Sequence, residues 1–362
     1  MDWLNFKIAG GLLLLMVIAA ACGGGDDSPA LVFTPRPSET PTPRSTPLPE
    51  VPTPVPVGSE EHPLKILVVG EETRSTTNLL EDLSENYTEE LSTFRLGYYQ
   101  GIVVEFEVVE TPQEALTRLC NSTDTAAFVD AFTFIAAEQR CGAMPTFQIE
   151  RDRQRGTTFD LVVFRARVGA ASNLTGRAFC TMNPNGITEF VHPALAFRVM
   201  NIDPLDDFSE IVTGFEDEAE MILAMTGRYE PAGRPRCDGA ALPPGMLDDI
   251  EEELLDEDRE QNLTQSQFNQ VAVLEVTGED AWEPIPHEIL VFPPDRLVPA
   301  FLRDAVVEAV SALEDDEGEA HDNLVELLEH DRLIPVTAAD YDAFREWLVE
   351  KAGWNLADSP VN

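Results

Sequence analysis

Lysine is almost absent from this chain: only three of its 362 residues are lysine, and 24 basic side chains face 66 acidic ones, for a net charge of −42. Because proteins bind nucleic-acid phosphates through a basic footprint, nucleic acid is excluded as the expected partner. Apolar residues are not scarce, at 43% against 25% charged residues. The chain can therefore build a hydrophobic core, and global disorder is excluded.

Catalytic motifs are also missing. The sequence has no Gly-x-Ser-x-Gly, no His-Glu-x-x-His, no Gly-rich phosphate loop and no dinucleotide fingerprint. Its five histidines are scattered without the spacing of metal ligands, and we expect each of them to be a surface or capping residue. The sequence thus predicts a binding protein rather than an enzyme, with no cofactor and no metal.

No apolar run is long enough to cross a bilayer, which takes about 20 residues. The run from Ile8 to Ile18 follows Lys7 and precedes three alanines and Cys22, as in a secretory signal. A cysteine directly after the small residues resembles a bacterial lipobox, so we predict a lipoprotein signal peptide at residues 1–22 with Cys22 lipidated. The alternative is an ordinary secretory signal with an incidental cysteine.

Residues 23–62 are rich in proline and threonine, with ten prolines between Ser28 and His62. Proline fixes φ and removes a hydrogen-bond donor, so this segment predicts a disordered, semi-rigid linker rather than a helix or strand. Its expected role is to tether the following domain to the membrane.

Four cysteines remain once Cys22 is set aside: Cys120, Cys141, Cys180 and Cys237. An even number in an exported chain predicts two disulfides. Three pairings are possible, and local order favours Cys120 with Cys141 and Cys180 with Cys237. Four buried free thiols are the alternative.

The body of the chain alternates strand and helix patterns. Leu64 to Val69 is a continuous apolar run, Ile102 to Val109 alternates, and Ala126 to Phe132 is a third expected strand before another helix. A polar stretch is expected past Met144, before a second set of strands and helices. This order predicts an α/β protein with a largely parallel sheet.

Several segments together resemble the phosphate and phosphonate binding proteins of ABC importers, a type 2 solute-binding family. The similar segments are Ala171 to Phe179, Glu218 to Met225, Cys237 to Ala240, Val273 to Val276, Ile285 to Glu288 and Leu333 to Val336. Where phosphonate binders carry a Ser-Thr-Ser-Gly anion loop, this chain has Asn185-Gly186-Ile187-Thr188. Two hydroxyls are lost there, so phosphonate specificity is not carried over.

The resemblance implies the type 2 periplasmic-binding-protein fold, in which two α/β lobes are joined by two crossing strands and hold the ligand in the cleft. Residues 63–148 and 288–362 would form lobe 1, and residues 149–287 lobe 2. The candidate ligand-binding residues are Thr73, Arg74, Ser75, Thr76, Asp130, Phe132, Thr133, Arg155, Thr157, Thr158, Asn185, Gly186 and Thr188.

An anionic ligand is expected despite the acidic composition, because the stretch from Arg140 to Arg177 holds seven arginines and three acidic residues. Arg155 is the predicted contact, because guanidinium groups bind oxyanions in bidentate fashion. The alternative is that these arginines pair with surface acids. The backbone amides of Gly186 and Thr188 are expected to add neutral donors.

The resulting expectation is a monomeric, extracytoplasmic, lipid-anchored protein that delivers an oxyanion or small polar metabolite to the transmembrane subunits of an ABC permease. A sensory lipoprotein that presents its ligand to a membrane receptor, and an extracellular hydrolase, are the alternatives.

Overall fold

The structure is a computed structural model, and it describes residues 55–97, 99–228, 236–256, 262–276, 282–315 and 318–354. These residues belong to one compact unit, Thr53–Asn362. The expected signal peptide with Cys22, and residues 23–54 of the expected linker, lie outside the described residues. No helix within the described ranges is long and apolar enough to cross a membrane.

Fifteen strands lie in the described part of the chain. They are β1 Leu64–Val69, β2 Arg95–Leu96, β3 Tyr99–Gln100, β4 Val104–Val109, β5 Thr125–Val129, β6 Met144–Glu150, β7 Gly156–Thr157, β8 Asp160–Phe164, β9 Ala178–Cys180, β10 Glu210–Val212, β11 Gly239–Leu242, β12 Val271–Val273, β13 Ile285–Pro286, β14 Ile289–Phe292 and β15 Arg332–Pro335.

The helices connect these strands and cover the two main sheets. The α-helices are α1 Arg74–Glu90, α2 Pro112–Asn121, α3 Ala131–Cys141, α4 His192–Val199, α5 Pro204–Asp207, α6 Glu218–Thr226, α7 Met246–Leu255, α8 Gln265–Phe268, α9 Ala300–Asp315, α10 Glu319–Leu328 and α11 Asp342–Arg345. Short 3₁₀ segments span Leu91–Thr93, Ala171–Leu174 and Ala338–Tyr341, and π-helical turns span Ile187–Val191 and Glu346–Lys351.

The first sheet has six strands in the order β15-β6-β14-β5-β1-β4. Strand β1 pairs in parallel with β4 and β5, whereas β14 runs antiparallel to β5 and β6, and β15 antiparallel to β6. The expectation of a largely parallel sheet is therefore wrong for this half, because the chain returns from the second sheet to add β14 and β15 in the opposite direction.

The second sheet has five strands in the order β10-β9-β11-β8-β12. Strands β10, β9 and β11 are parallel to each other, and β8 lies antiparallel between β11 and β12. Between the two sheets the chain passes once through β7 and back through β13, which pair antiparallel as Thr157 with Ile285 and Gly156 with Pro286. The lobe boundaries at 148/149 and 287/288 stay a prediction.

Local chemistry sets the ends of the helices. Thr73 accepts a hydrogen bond from the Thr76 N–H at 3.1 Å and begins α1, and Asp130 accepts one from the Thr133 N–H at 2.9 Å and begins α3. Gly142, with φ of +79°, ends α3 in the left-handed conformation that glycine adopts at low cost. The third strand is accordingly shorter than expected, because Asp130 stops it at Val129.

The polar stretch expected past Met144 is instead strand β6, which lies inside the first sheet between β15 and β14. Gln148 and Glu150, which made it look polar, are both buried. The Gln148 side chain bonds to Tyr341 and to the Arg155 carbonyl, and Glu150 accepts from Arg332 at 2.7 Å. These long-range partners allow polar residues in a buried strand.

Two disulfides link cysteines in the predicted pairing, Cys120 with Cys141 and Cys180 with Cys237. The first joins α2 to α3 beside the first sheet, and the second joins the end of β9 to the residue before Asp238 at the start of β11. The pairing inferred from local order is confirmed.

Candidate functional site

A cavity of about 300 Å³ lies at the carboxyl ends of β1 and β5 in the first sheet. In open α/β sheets, ligands bind outside the carboxyl ends of the parallel strands. The lining residues are Val68, Val69, Phe128, Val129, Asp130, Arg151, Glu288, Leu327, Leu328 and Glu329. Its charged side chains come from the end of β5, from the two crossing segments and from the end of α10.

Arg151 is the one cation among these lining residues. Its Nη1 donates to Glu288 Oε2, its Nε to the Glu329 carbonyl and its Nη2 to the Leu328 carbonyl, each at 2.7 Å. The guanidinium therefore ties the outgoing crossing segment to the returning one and to the end of α10. Glu329 itself has φ of +50°, an uncommon conformation for a residue with a side chain.

Asp130 was predicted as a ligand contact, and it does line the cavity. Its Oδ1 accepts from the Thr133 N–H and its Oδ2 from the Thr133 hydroxyl at 2.7 Å. Burial raises the pKa of the Asp130 carboxyl, and the nearby charge of Glu288 acts in the same direction. The cavity thus presents three acidic side chains and one guanidinium.

The other residues predicted after the third strand are buried. Thr133 is 6% exposed and holds Asp130, as described above. Phe132 is 1% exposed, and its ring centroid lies 5.9 Å from that of Phe344 and 6.1 Å from that of Trp354. Phe132 therefore packs against the C-terminal segment instead of ending a strand.

The four residues predicted after the first strand stand at the beginning of α1. Thr73, Arg74 and Ser75 are exposed and Thr76 is half-buried. The hydroxyls of Thr73 and Thr76 lie 2.8 Å apart and bond to each other. None of the four is among the residues that line the cavity at β1 and β5.

Arg155, Thr157 and Thr158 lie at the crossing, as predicted. Arg155 is exposed, and its carbonyl accepts from the His287 N–H at 3.0 Å. The hydrogen bonds from Thr337 lower the pKa of Asp340, and the positive charge of Arg155 lowers it further. Thr157 pairs with Ile285, and Thr158 is half-buried just beyond it. Arg155 therefore faces the C-terminal segment, and Arg151 occupies the cavity.

The loop predicted in the second lobe, with Asn185, Gly186 and Thr188, leads into the π-helical turn before α4. The Gly186 N–H donates to the Asn183 carbonyl at 3.1 Å, and the Asn185 N–H to Asn183 Oδ1 at 3.0 Å. A Cβ atom placed on Gly186 would collide with the carboxylate of Glu189. The expectation of free anion-binding amides is wrong for Gly186, because its N–H is already bonded and a carboxylate lies beside it.

The arginine-rich stretch does not converge on the cavity. Arg165 and Arg167 follow the end of β8 and Arg177 precedes β9, so these three lie at the end of the second sheet away from the crossing strands. Sequence reasoning missed Arg151, Glu288 and Glu329 as cavity residues. Arg151 belongs to the stretch that was singled out, but nothing in the sequence distinguishes it from Arg155.

Two histidines are buried, contrary to the expectation that all five would be surface or capping residues. His192 is 0% exposed; its Nε2 donates to the Glu283 carbonyl at 2.9 Å, and burial lowers its pKa to about 4. Its ring packs edge-on against Phe159 and Trp347. His330 is 3% exposed, with Nε2 3.5 Å from Glu314 Oε1.

Residues from both sheets and from the C-terminal segment share one apolar cluster. It includes Val129 and Phe132 of the first lobe, Phe159 and Phe197 of the second, and Trp347. The C-terminal segment therefore packs against both halves, in addition to the two crossing strands.

No family model matches this chain. No curated protein matches it either. Among solved structures, XAC2383 from Xanthomonas citri bound to ATP has a TM-score of 0.51 at 13% identity, over 80% of this chain and 96% of that one. The same protein bound to a chloride ion has a TM-score of 0.50 at 14% identity, over 80% of this chain and 97% of that one. A binding protein component of an ABC phosphonate transporter from Pseudomonas aeruginosa has a TM-score of 0.44 at 12% identity, over 82% of this chain and 86% of that one. At such identities the likeness concerns the fold, and the predicted two-lobed α/β fold is confirmed.

Proposed function

We propose that this chain is an extracytoplasmic solute-binding protein that delivers a small polar solute to an ABC importer. The observation that carries the proposal is the cavity at the carboxyl ends of β1 and β5, where Arg151 and Glu288 come from the two segments that join the sheets. A solute bound there would contact both crossing segments. Its binding would thereby favour one arrangement of the two lobes, as in hinge closure.

For the solute, we propose a molecule that carries an anionic group together with a hydrogen-bond donor or a positive group. Three of the five N–H groups of Arg151 are bonded to described residues, and the other two could bind an anionic oxygen. Asp130, Glu288 and Glu329 around it would repel a bare polyanion. This proposal keeps the anion predicted from the sequence and moves its contact from Arg155 to Arg151.

The partners we propose are the transmembrane subunits of an ABC permease, with the binding protein acting as a monomer. The anchor would be a lipid on Cys22, and the proline-rich linker would give the domain reach, on the order of 100 Å at about 3.1 Å per residue. Cys22→Ser should move the protein from the membrane to the soluble fraction or leave its signal uncleaved. Equal membrane association of this variant would argue against a lipid anchor.

The solute can be identified by mass spectrometry of small molecules released on denaturing the purified protein, followed by calorimetric titration. Arg151→Gln should weaken binding at least tenfold, because a charge-assisted hydrogen bond is worth roughly 1.5 to 3 kcal/mol. Arg155→Gln is the matched control, since it removes the same charge four residues away on the exposed side. It should change the dissociation constant less than twofold.

The reverse result, in which Arg155→Gln weakens binding and Arg151→Gln does not, would place the solute outside this cavity. Turnover of the captured solute by the purified protein would argue for the hydrolase alternative.

A further inference from the structure

Three arginines converge at the end of the second sheet that points away from the crossing strands. Arg167 follows the end of β8, Arg177 precedes β9, and Arg236 precedes β11. Because β8 runs antiparallel to β11 while β9 and β11 are parallel, these three positions meet at one end of the sheet. The loop with Asn185 follows β9 and therefore lies at the opposite end.

A single acidic side chain holds this arginine cluster, Arg167, Arg177 and Arg236, together. Asp238 is 5% exposed; its Oδ1 accepts from Arg167 Nη1 at 2.8 Å, and its Oδ2 lies 3.8 Å from Arg177 Nη1. One carboxylate cannot neutralise three guanidinium groups, so a charge of +2 remains when Asp238 is the only acidic partner counted among the described residues. In a chain of net charge −42 this local excess is unusual.

The guanidinium groups are held in place by packing and by backbone carbonyls. Arg236 Cζ lies 4.5 Å and Arg167 Cζ 5.6 Å from the centroid of the Phe164 ring. Arg236 Nε donates to the Met225 carbonyl and Arg177 Nε to the Asn173 carbonyl. Burial and then the charge of Arg167 lower the pKa of Arg236, and the attraction of Asp238 opposes this shift without cancelling it.

Most of the donors in the cluster have no partner among the residues that the structure describes. The three guanidinium groups carry fifteen N–H bonds, and within the described ranges three of them are hydrogen-bonded, to Asp238, Asn173 and Met225. About a third of each of the Arg167 and Arg177 side chains is exposed to solvent. Guanidinium groups that are anchored, partly buried and left with spare N–H donors match the planar, bidentate recognition of phosphate oxygens.

We propose that Arg167, Arg177 and Arg236 form an oxyanion-binding site that takes a phosphate group, at the end of the second sheet opposite the solute cavity. The phosphate group would bridge the guanidinium groups and relieve their mutual repulsion. It can belong to free inorganic phosphate or to the headgroup of an anionic lipid, and the experiment separates these two sources.

The test uses the full chain with Cys22→Ser and two binding arms. In one, inorganic phosphate is titrated by calorimetry; in the other, the protein is sedimented with phosphatidylglycerol vesicles, and with phosphatidylcholine vesicles as the neutral reference. Arg177→Gln should weaken phosphate binding about tenfold or vesicle binding about fivefold. This variant leaves the close Arg167 to Asp238 pair in place, so it should fold.

Arg95→Gln is the charge-matched control, because Arg95 is exposed and bonds only to backbone carbonyls in the described structure. This variant should leave both phosphate binding and vesicle binding unchanged. Arg151→Gln should also leave them unchanged, which separates this site from the solute cavity. Absence of binding in both arms, or binding that Arg177→Gln and the double variant Arg167→Gln/Arg236→Gln leave intact, would overturn the proposal.

Discussion

Glu107 on β4 should make the stability of the protein depend on pH under acidic conditions. Its carboxylate accepts from Arg118 Nη1 at 2.6 Å and Nη2 at 2.9 Å, and from Lys65 Nζ at 2.9 Å. The hydrogen bonds from Arg118, aided by Lys65, lower the pKa of Glu107 from 4.5 to about 2. The folded state therefore prefers the ionised carboxylate and loses stability when that carboxylate is protonated.

The size of the effect follows from the difference in pKa. At about 1.36 kcal/mol per pH unit, a difference of about 2.5 corresponds to roughly 3.4 kcal/mol. The Glu107 side chain is 34% exposed. Because solvent screens its charge, we expect it to contribute only about 1 to 2 kcal/mol to the free energy of unfolding. The contribution is complete above about pH 4.5 and is lost as the pH falls through about 2.

Urea unfolding of the wild type and of Glu107→Gln between pH 7 and pH 2 measures this contribution. The variant should have the lower free energy of unfolding at pH 7, and the difference should shrink towards zero near pH 2. Because other carboxylates titrate in both proteins, the difference between the two curves is the relevant quantity. A difference that does not change over this range would refute the reasoning.

Intact mass should be about 4 Da below the fully reduced value, and reduction should cost roughly 2 to 4 kcal/mol per disulfide; four thiols that alkylate without reduction would contradict this. Gly156→Ala should lower the free energy of unfolding by about 1 to 3 kcal/mol, because its Cβ would lie 2.6 Å from the Ile285 carbonyl oxygen. Gly169→Ala, whose Cβ would meet only Asn173 Oδ1 at 3.9 Å, is the control and should be nearly neutral. His192 has its pKa lowered to about 4 by burial, so acidification from pH 6.5 to pH 4 should cost the wild type about 3 kcal/mol more than His192→Phe, as measured by urea unfolding.

The sequence was sufficient for features that depend on neighbouring residues. The apolar run Leu64 to Val69 predicted β1 correctly because a parallel strand is buried on both faces. Prediction from the sequence failed where buried polar residues are hydrogen-bonded by residues far along the chain, as in β6, where Arg332 donates to Glu150. The strand after Thr125 was predicted too long because strand and helix are both apolar there, and Asp130 is the one break between them.

The candidate site was predictable only in part. Asp130 follows directly from the rule that ligands bind beyond the carboxyl ends of parallel strands, and it lines the cavity. Arg151 could not be separated from Arg155, because their difference lies in Glu288 and in the carbonyls of Leu328 and Glu329, more than 130 residues along the chain. The other arginines of that stretch supported an anionic ligand in the prediction, although Arg165, Arg167 and Arg177 lie at the far end of the second sheet, because sequence distance does not show at which end of a sheet a residue lies.

Each disulfide lies within one half of the protein: Cys120 and Cys141 are on helices α2 and α3 on either side of β5 in the sequence, and Cys180 at the end of β9 pairs with Cys237 just before β11. The covalent crosslinks therefore strengthen each half without restraining rotation of one half against the other. They also occupy all four cysteines of the described chain. Two new cysteines, one in each half, would be the only reactive thiols of the oxidised Cys22→Ser protein. Spin labels or fluorophores attached to them would report the distance between the halves directly, with and without solute.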